Sequence, residues 1–208
     1  ASLSDRVEKE VVRQLIESPG LTPLEYDTRL CQVFTGLLTP ASELVHVCIQ
    51  SYGEPVAPED TRWQISKQDT PEARRADLSE ISSALLQILH RLNCIIEGDK
   101  PMLVYDSHGE LLYAIHVIAS AVICDIILTK PYAPQKSLLV LPGGRANLVA
   151  YKLQHDPRLR QAVEAGWRFL KYRQIRSLLQ SPTLTRSSLD VQITPDSLTY
   201  DAPQLRLF

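Results

Sequence analysis

The chain has 208 residues, of which 44% are hydrophobic and 22% charged, a balance that is typical of a globular protein and excludes an intrinsically disordered one. Its longest apolar run, residues 111–128, contains His116 and Asp125 and is rich in β-branched residues, so it predicts buried strands rather than a membrane span. The sequence starts with no basic and apolar leader. We therefore expect a cytoplasmic protein without a membrane partner.

Cysteine and histidine usage argues against a disulfide framework and against a metal site. No two of the four cysteines form a Cys-x-x-Cys pair, and each lies in an apolar stretch, so we expect free, buried thiols. The five histidines are scattered and never reach the helical spacing of metal ligands. The sequence thus predicts neither a metal site nor a cofactor.

Residues 1–52 predict a module of three short helices. The first covers 5–17 and stops at Ser18-Pro19-Gly20. A threonine cap followed by proline, Thr22-Pro23, begins the second, which extends to about Leu38. The third ends near Tyr52. This arrangement suits a helical DNA-binding unit, but it suits any other small bundle equally well.

The next segment, residues 53–61, contains two prolines and three acidic side chains and predicts a linker. We expect a mixed-sheet domain to follow over residues 62–182. It begins with a short strand at 62–66 and a long helix from Pro71 to about Leu92. That helix has a continuous apolar stripe and should face the core.

A β-rich block comes after the long helix, and helices follow it. Strands are predicted at 94–97, 102–105, 111–118, 121–128 and 137–141. Helices are predicted at 145–154, from 156 onward, and from about 166 to 180. Residues 183–208 read as a tail with extended pieces at 189–193 and 205–208. The predicted fold class is α/β (or α+β), with a small N-terminal helical module before a mixed β-sheet flanked by helices.

In the order of its elements, residues 71–179 resemble the core of restriction-endonuclease-like nucleases. Those enzymes bind Mg²⁺ through an acidic residue on one strand and a Glu-x-Lys on the next. Here the hairpin offers Asp106 and Glu110, while the following strand, LLYAIHVIAS, has no lysine and no central carboxylate. Because these catalytic residues are missing, the resemblance implies an inactive relative that serves in binding and holds no metal. The alternative is a divergent Mg²⁺-dependent nuclease that uses Asp106 and Glu110.

Other catalytic signatures are missing from the sequence. The turn Pro142-Gly143-Gly144-Arg145 lies between a strand and a helix, where backbone N–H groups can hold a phosphate. It lacks the spacing of a Walker loop and of a dinucleotide-binding loop, so a plain glycine turn is the simpler interpretation. No Gly-x-Ser-x-Gly motif is present either.

Basic residues are concentrated in the last third of the chain. Between Arg145 and Arg186 nine basic residues face two acidic ones, a local charge of +7 in a chain of net charge −2. Cations interleaved with aromatic rings suit nucleic acid, whereas a segment that pairs with the protein's own acidic half is the alternative. The candidate nucleic-acid-binding residues are Arg145, Lys152, Arg158, Arg160, Arg168, Phe169, Lys171, Tyr172, Arg173 and Arg176.

The last five residues, QLRLF, resemble the peptide by which bacterial polymerases and repair proteins bind the replication sliding clamp. The resemblance implies that Gln204 reaches a polar subsite while Leu205, Leu207 and Phe208 fill an apolar pocket. Arg206 occupies the variable position. The alternative is a closing strand that buries the same side chains in the protein's own sheet.

These features predict a non-catalytic, nucleic-acid-associated accessory protein of DNA replication or repair, with a sliding clamp as a possible partner. A metal-dependent nuclease and a scaffold that binds only proteins are the alternatives. The choice between DNA and RNA and the oligomeric state stay open at this level.

Overall fold

The architecture is taken from a computed structural model that describes residues 2–129 and 131–193. Its helices are α1 Leu3–Glu17, α2 Pro23–Val33, α3 Ser42–Tyr52, α4 Pro71–Arg91, α5 Cys124–Thr129, α6 Ala146–His155, α7 Pro157–Glu164, α8 Tyr172–Gln180 and α9 Arg186–Gln192. Its strands are β1 Gly53–Pro55, β2 Trp63–Ile65, β3 Ile95–Glu97, β4 Met102–Tyr105, β5 Leu111–Val117, β6 Ser137–Leu141 and β7 Arg168–Lys171. The predicted α/β class is confirmed.

The main sheet contains β3 to β7 side by side in chain order. The pairs β3–β4 and β4–β5 are antiparallel hairpins, whereas β5, β6 and β7 are parallel. Parallel neighbours need crossover connections, which α5 supplies between β5 and β6, and α6 with α7 between β6 and β7. As a result β5, β6 and β7 end at the same edge of the sheet, after Val117, Leu141 and Lys171.

Alternate side chains of the sheet enter two separate cores. Leu139, Leu141 and Phe169 pack with helices α1, α2, α3, α5, α6 and α7 on one face. Leu138 and Val140 pack with α4, α8 and α9 on the other face. The three N-terminal helices therefore share a hydrophobic core with the sheet, and β1 and β2 form a small hairpin around the predicted linker. Among the described helices, none has the length and apolar character that a membrane crossing requires.

One predicted strand and one predicted extended piece are helical in the structure. Residues 121–128 were expected to extend the sheet, but the segment from Cys124 onward belongs to α5. A short apolar run does not distinguish a buried strand from a buried helix by periodicity. Residues 189–193 lie mostly in α9, whose start is fixed by a capping box between Thr185 and Ser188.

The helix predicted over residues 166–180 is also wrong in its first part, because β7 occupies residues 168–171. Gly166 has a φ of +129°, and a Cβ atom there would come within 2.9 Å of Gln135, so the backbone cannot run on as a helix. Phe169 and Leu170 enter opposite cores, as expected for a parallel strand that is covered on both faces. The helix begins only at Tyr172.

A buried ionic cluster joins α1 to α6 inside the first core. The Lys152 ammonium donates to Asp5 Oδ1 at 2.6 Å, to Glu8 Oε2 at 2.5 Å and to the Ala121 carbonyl at 2.7 Å. Glu8 Oε1 accepts from the Ala121 amide at 2.7 Å and from the Tyr52 hydroxyl. The Lys152, Asp5 and Glu8 side chains are at most 1% exposed.

Each charged atom of this cluster has a partner. Lys152 uses all three ammonium protons, and the second Asp5 oxygen accepts from the Cys124 amide at 3.0 Å. Burial by itself would lower the pKa of Lys152, but Glu8 and Asp5 reverse that effect and hold the pKa above its ordinary value. Lys152 therefore stays charged and binds α1, α6 and the loop after β5 together.

We expect Lys152→Met to lower the free energy of unfolding by about 3–5 kcal/mol, because it leaves two buried carboxylates without a counter-charge. Urea unfolding followed by circular dichroism measures the change. Lys9→Met is the matched control, since Lys9 is an exposed residue of α1, and it should stay within about 0.5 kcal/mol of wild type. Equal effects of the two substitutions would contradict this role for the cluster.

Candidate functional site

Three neighbouring cavities lie at the sheet edge where the parallel strands end. Their volumes are about 450, 330 and 530 Å³. The loop after β5 contributes Ala119 and Ser120 to the walls, and the turn after β6 contributes Gly144 and Arg145. Ligands of open α/β sheets bind at the carboxyl ends of the strands, so this position favours a binding site.

Arg74, in the first turns of α4, lines all three cavities. We call the combined depression the Arg74 cleft. The Arg74 Nε atom is buried and has no hydrogen-bond partner among the described residues. Since Arg74 lines every one of the three cavities, it is the central side chain of the cleft.

The charges in the cleft walls are unequal once their internal partners are counted. Among the carboxylates, Glu8 binds Lys152, Asp69 pairs with Arg145, and Asp77 pairs with Arg176. Glu54 and Asp99 make no ion pair with another described residue. The wall cations that make no ion pair within the same ranges are Lys9, Lys67, Arg74 and Lys100. The cleft thus offers more unpaired positive than negative charge.

Arg145 lies beneath the cleft and is only 2% exposed. Its guanidinium donates to Asp69 and to the Ser51 carbonyl, and its carbon lies 3.6 Å from the centre of the Tyr52 ring. Burial lowers the pKa of Arg145, although the surrounding groups oppose that shift. These contacts fix the turn after β6 against α3, so Arg145 supports the cleft rather than reaching a large ligand.

The structure separates the predicted nucleic-acid-binding residues into buried and exposed groups. The buried members, which correct the expectation of one basic aromatic surface, are Arg145, Lys152, Phe169, Lys171 and Tyr172. The Phe169 ring packs in the first core and the Tyr172 ring in the second, so neither ring is available for stacking on bases. The Tyr172 hydroxyl also donates to the Ile118 carbonyl at 2.9 Å.

The remaining predicted cations do not form a single surface. Arg176 pairs with Glu80 at 2.8 Å and with Asp77 at 3.2 Å, which joins α8 to α4. Arg158 pairs with Asp156 next to it at 3.1 Å. Arg160 and Arg173 are exposed, and Arg168 is half-buried in β7. Much of the positive charge between Arg145 and Arg186 is therefore paired with carboxylates of the protein itself. This agrees with the alternative interpretation, in which the basic segment pairs with the protein's own acidic residues.

Asp106 and Glu110 occupy the β4–β5 turn, and each already has partners within the fold. Asp106 Oδ1 accepts from the backbone amides of Glu110 and His108 at 2.9 and 2.8 Å, and these hydrogen bonds lower the pKa of Asp106. Glu110 pairs with Lys136 at 3.1 Å. Within residues 2–129 and 131–193, no three histidine, cysteine or carboxylate side chains are grouped as metal ligands.

Sequence reasoning missed the cleft residues on α4 and the loop before it. Lys67 and Arg74 lie outside the basic segment. In the sequence their charges are cancelled by those of the neighbouring acids Asp69, Glu72 and Asp77. Their importance depends on which carboxylates are already paired, and this is visible only in three dimensions.

The chain matches no family model, no curated protein and no solved structure. The predicted clamp-binding residues Gln204, Leu205, Leu207 and Phe208 lie outside the described residues. Function is therefore inferred from the Arg74 cleft and from the sequence of the C-terminal peptide.

We expect Asp106→Ala to loosen the β4–β5 turn and to leave the effect of Mg²⁺ on the melting temperature unchanged. The substitution removes an acceptor of two backbone amides, so the urea midpoint should fall slightly at pH 7. Since the folded-state pKa of Asp106 is lowered, this difference should disappear as the pH falls through that pKa. A melting temperature that Mg²⁺ raises in wild type but not in Asp106→Ala would instead support the nuclease alternative.

Proposed function

We propose that this protein is a non-catalytic, nucleic-acid-associated accessory protein of DNA replication or repair in the bacterial cytoplasm. The observation that carries the proposal is the Arg74 cleft, in which the cations Lys67, Arg74 and Lys100 make no ion pair with a described residue. A nucleic-acid backbone supplies closely spaced phosphates that such cations neutralise.

The contact surface we propose differs from the basic segment of the sequence. Lys67 lies just before α4, Arg74 lies in α4, and Lys100 lies between β3 and β4. The positive end of the α4 dipole points to the same region and adds to the attraction for phosphate. The cleft walls contain no exposed aromatic ring among the described residues, because Tyr52 is only 1% exposed. Contact through phosphates rather than stacked bases is the mode that these walls favour.

A binding role without catalysis is supported by the side chains of the hairpin and cleft. Asp106 Oδ1 serves as a turn acceptor and Glu110 pairs with Lys136, so each carboxylate already has a partner within the fold. His116, in the middle of β5, has a pKa that burial lowers, and it lies against Trp167 rather than beside a carboxylate. We therefore propose recognition rather than cleavage.

The clamp contact is a separate part of the proposal and depends on the C-terminal sequence alone. QLRLF fills the fixed positions of the bacterial clamp-binding pattern. A protein that binds both a nucleic acid and a clamp would gain affinity from the two weak contacts acting together. This combination is the reason for proposing an accessory role in replication or repair.

We expect duplex DNA to bind with an affinity that falls steeply with salt. The four cleft cations that make no ion pair with a described residue, Lys9, Lys67, Arg74 and Lys100, predict a slope of log K against log salt of about −3 to −4. Lys67→Ala combined with Lys100→Ala should reduce that slope by about 2 units. Fluorescence anisotropy with a labelled oligonucleotide between low and moderate salt measures both values.

The matched control is Arg158→Ala combined with Arg160→Ala, which removes the same charge from α7. That variant should keep the wild-type slope. A reduction of the salt slope that is larger in this variant than in the cleft variant would place the contact on α7. Wild-type binding that is undetectable or independent of salt would reject nucleic-acid association.

We expect Phe208→Ala to weaken binding to a bacterial sliding clamp at least about tenfold, because it removes the terminal apolar anchor. Arg206→Ala changes only the variable position and should bind like wild type. Titration of labelled clamp with each chain, and with a chain lacking residues 204–208, gives the comparison. Equal binding by all chains, or by none, would reject the clamp partner without affecting the DNA prediction.

A further inference from the structure

We propose that Arg74 binds one tetrahedral oxyanion, a phosphate or pyrophosphate group, at the point where the three cavities of the cleft meet. The inference deepens the proposed function and rests on the same cleft, but it names a single subsite and its ligand class. A phosphate of a nucleic-acid backbone and a free phosphate share this chemistry.

The first step is the access of a ligand to Arg74. The residue lines all three cavities and is only half-buried, so part of its side chain is open to the cleft although Nε itself is buried. A guanidinium presents pairs of parallel N–H groups, which match two oxygens of a phosphate. A lysine at this position would supply charge but not the two parallel donors.

The second step is that the neighbouring carboxylates already have other partners. Asp77, one turn after Arg74 on α4, would be its natural ion-pair partner, but it accepts from Arg176 at 3.2 Å. Asp69 is the partner of buried Arg145, and Glu8 belongs to the Lys152 cluster. Arg74 therefore has no ion pair within the described chain, and an anion from solution would supply one.

The third step distinguishes an oxyanion from a cation or an apolar ligand. The side chains of Lys67 and Lys100 are exposed at the mouth of the cleft, and both are without an ion pair in the described parts of the chain. The N-terminus of α4, capped by Thr70, adds partial positive charge beside Arg74. Two lysines, one arginine and a helix N-terminus outnumber the wall carboxylates without a described ion pair, Glu54 and Asp99, and therefore favour a negatively charged ligand.

The test is isothermal titration of the full chain with pyrophosphate, at constant ionic strength maintained with sodium chloride. Wild type should bind one equivalent saturably. Arg74→Lys, which keeps the charge and loses the two parallel donors, should weaken binding about 10- to 100-fold. Arg160→Lys, the same substitution at an exposed position of α7, should leave the affinity unchanged.

Folding is checked separately by the melting temperature of each variant without ligand, and Arg74→Gln provides a second variant if one variant does not fold. Pyrophosphate should raise the melting temperature of wild type and not that of the Arg74 variants. No saturable binding, or the same affinity in wild type and Arg74→Lys, would overturn the subsite.

A parallel titration with a short DNA duplex separates the two sources of phosphate. Pyrophosphate that competes with the duplex in wild type supports one shared subsite. Pyrophosphate binding without duplex binding would keep the Arg74 subsite and reject the nucleic-acid function. Duplex binding that Arg74→Lys does not weaken would keep the function and reject the subsite.

Discussion

The buried ion pair of Lys152 with Asp5 and Glu8 is the constraint on which the rest of the structure depends. It joins the first helix of the chain to α6 and fixes the loop that leaves β5 through both the amide and the carbonyl of Ala121. That loop supplies Ala119 and Ser120 to the Arg74 cleft. The position of the cleft wall is thus determined by charges that never reach solvent.

Arg145 extends the same constraint to the opposite side of the cleft. The Tyr52 hydroxyl donates to Glu8, and the Arg145 guanidinium lies over the Tyr52 ring. Arg145 also pairs with Asp69. A buried charge needs both a counter-charge and hydrogen bonds to be tolerated. Lys152, Glu8 and Arg145 each have both. Arg145 and Lys152 are consequently part of the core, although the sequence places them in the basic segment that predicted polyanion binding.

The limits of sequence prediction follow from the same contacts. Ser137–Leu141 was predicted with its observed bounds because a short apolar run ends at a proline and two glycines. By contrast, residues 168–171 were mistaken for helix, since a strand covered on both faces lacks the alternating pattern of a half-exposed one. The cleft escaped prediction because Lys67 and Arg74 stand among acids whose partners, Arg145 and Arg176, are distant in sequence.

Pairing, rather than composition, explains how an acidic protein presents a positive cleft. The carboxylates Asp69, Asp77 and Glu8 are each bound by a cation from another element, and this leaves Arg74 and its lysine neighbours facing solvent. A net charge of −2 therefore says little about what this edge of the sheet attracts. The same pairing makes the cleft sensitive to mutations outside it, because loss of Arg176 would leave Asp77, one turn away on α4, available to pair with Arg74.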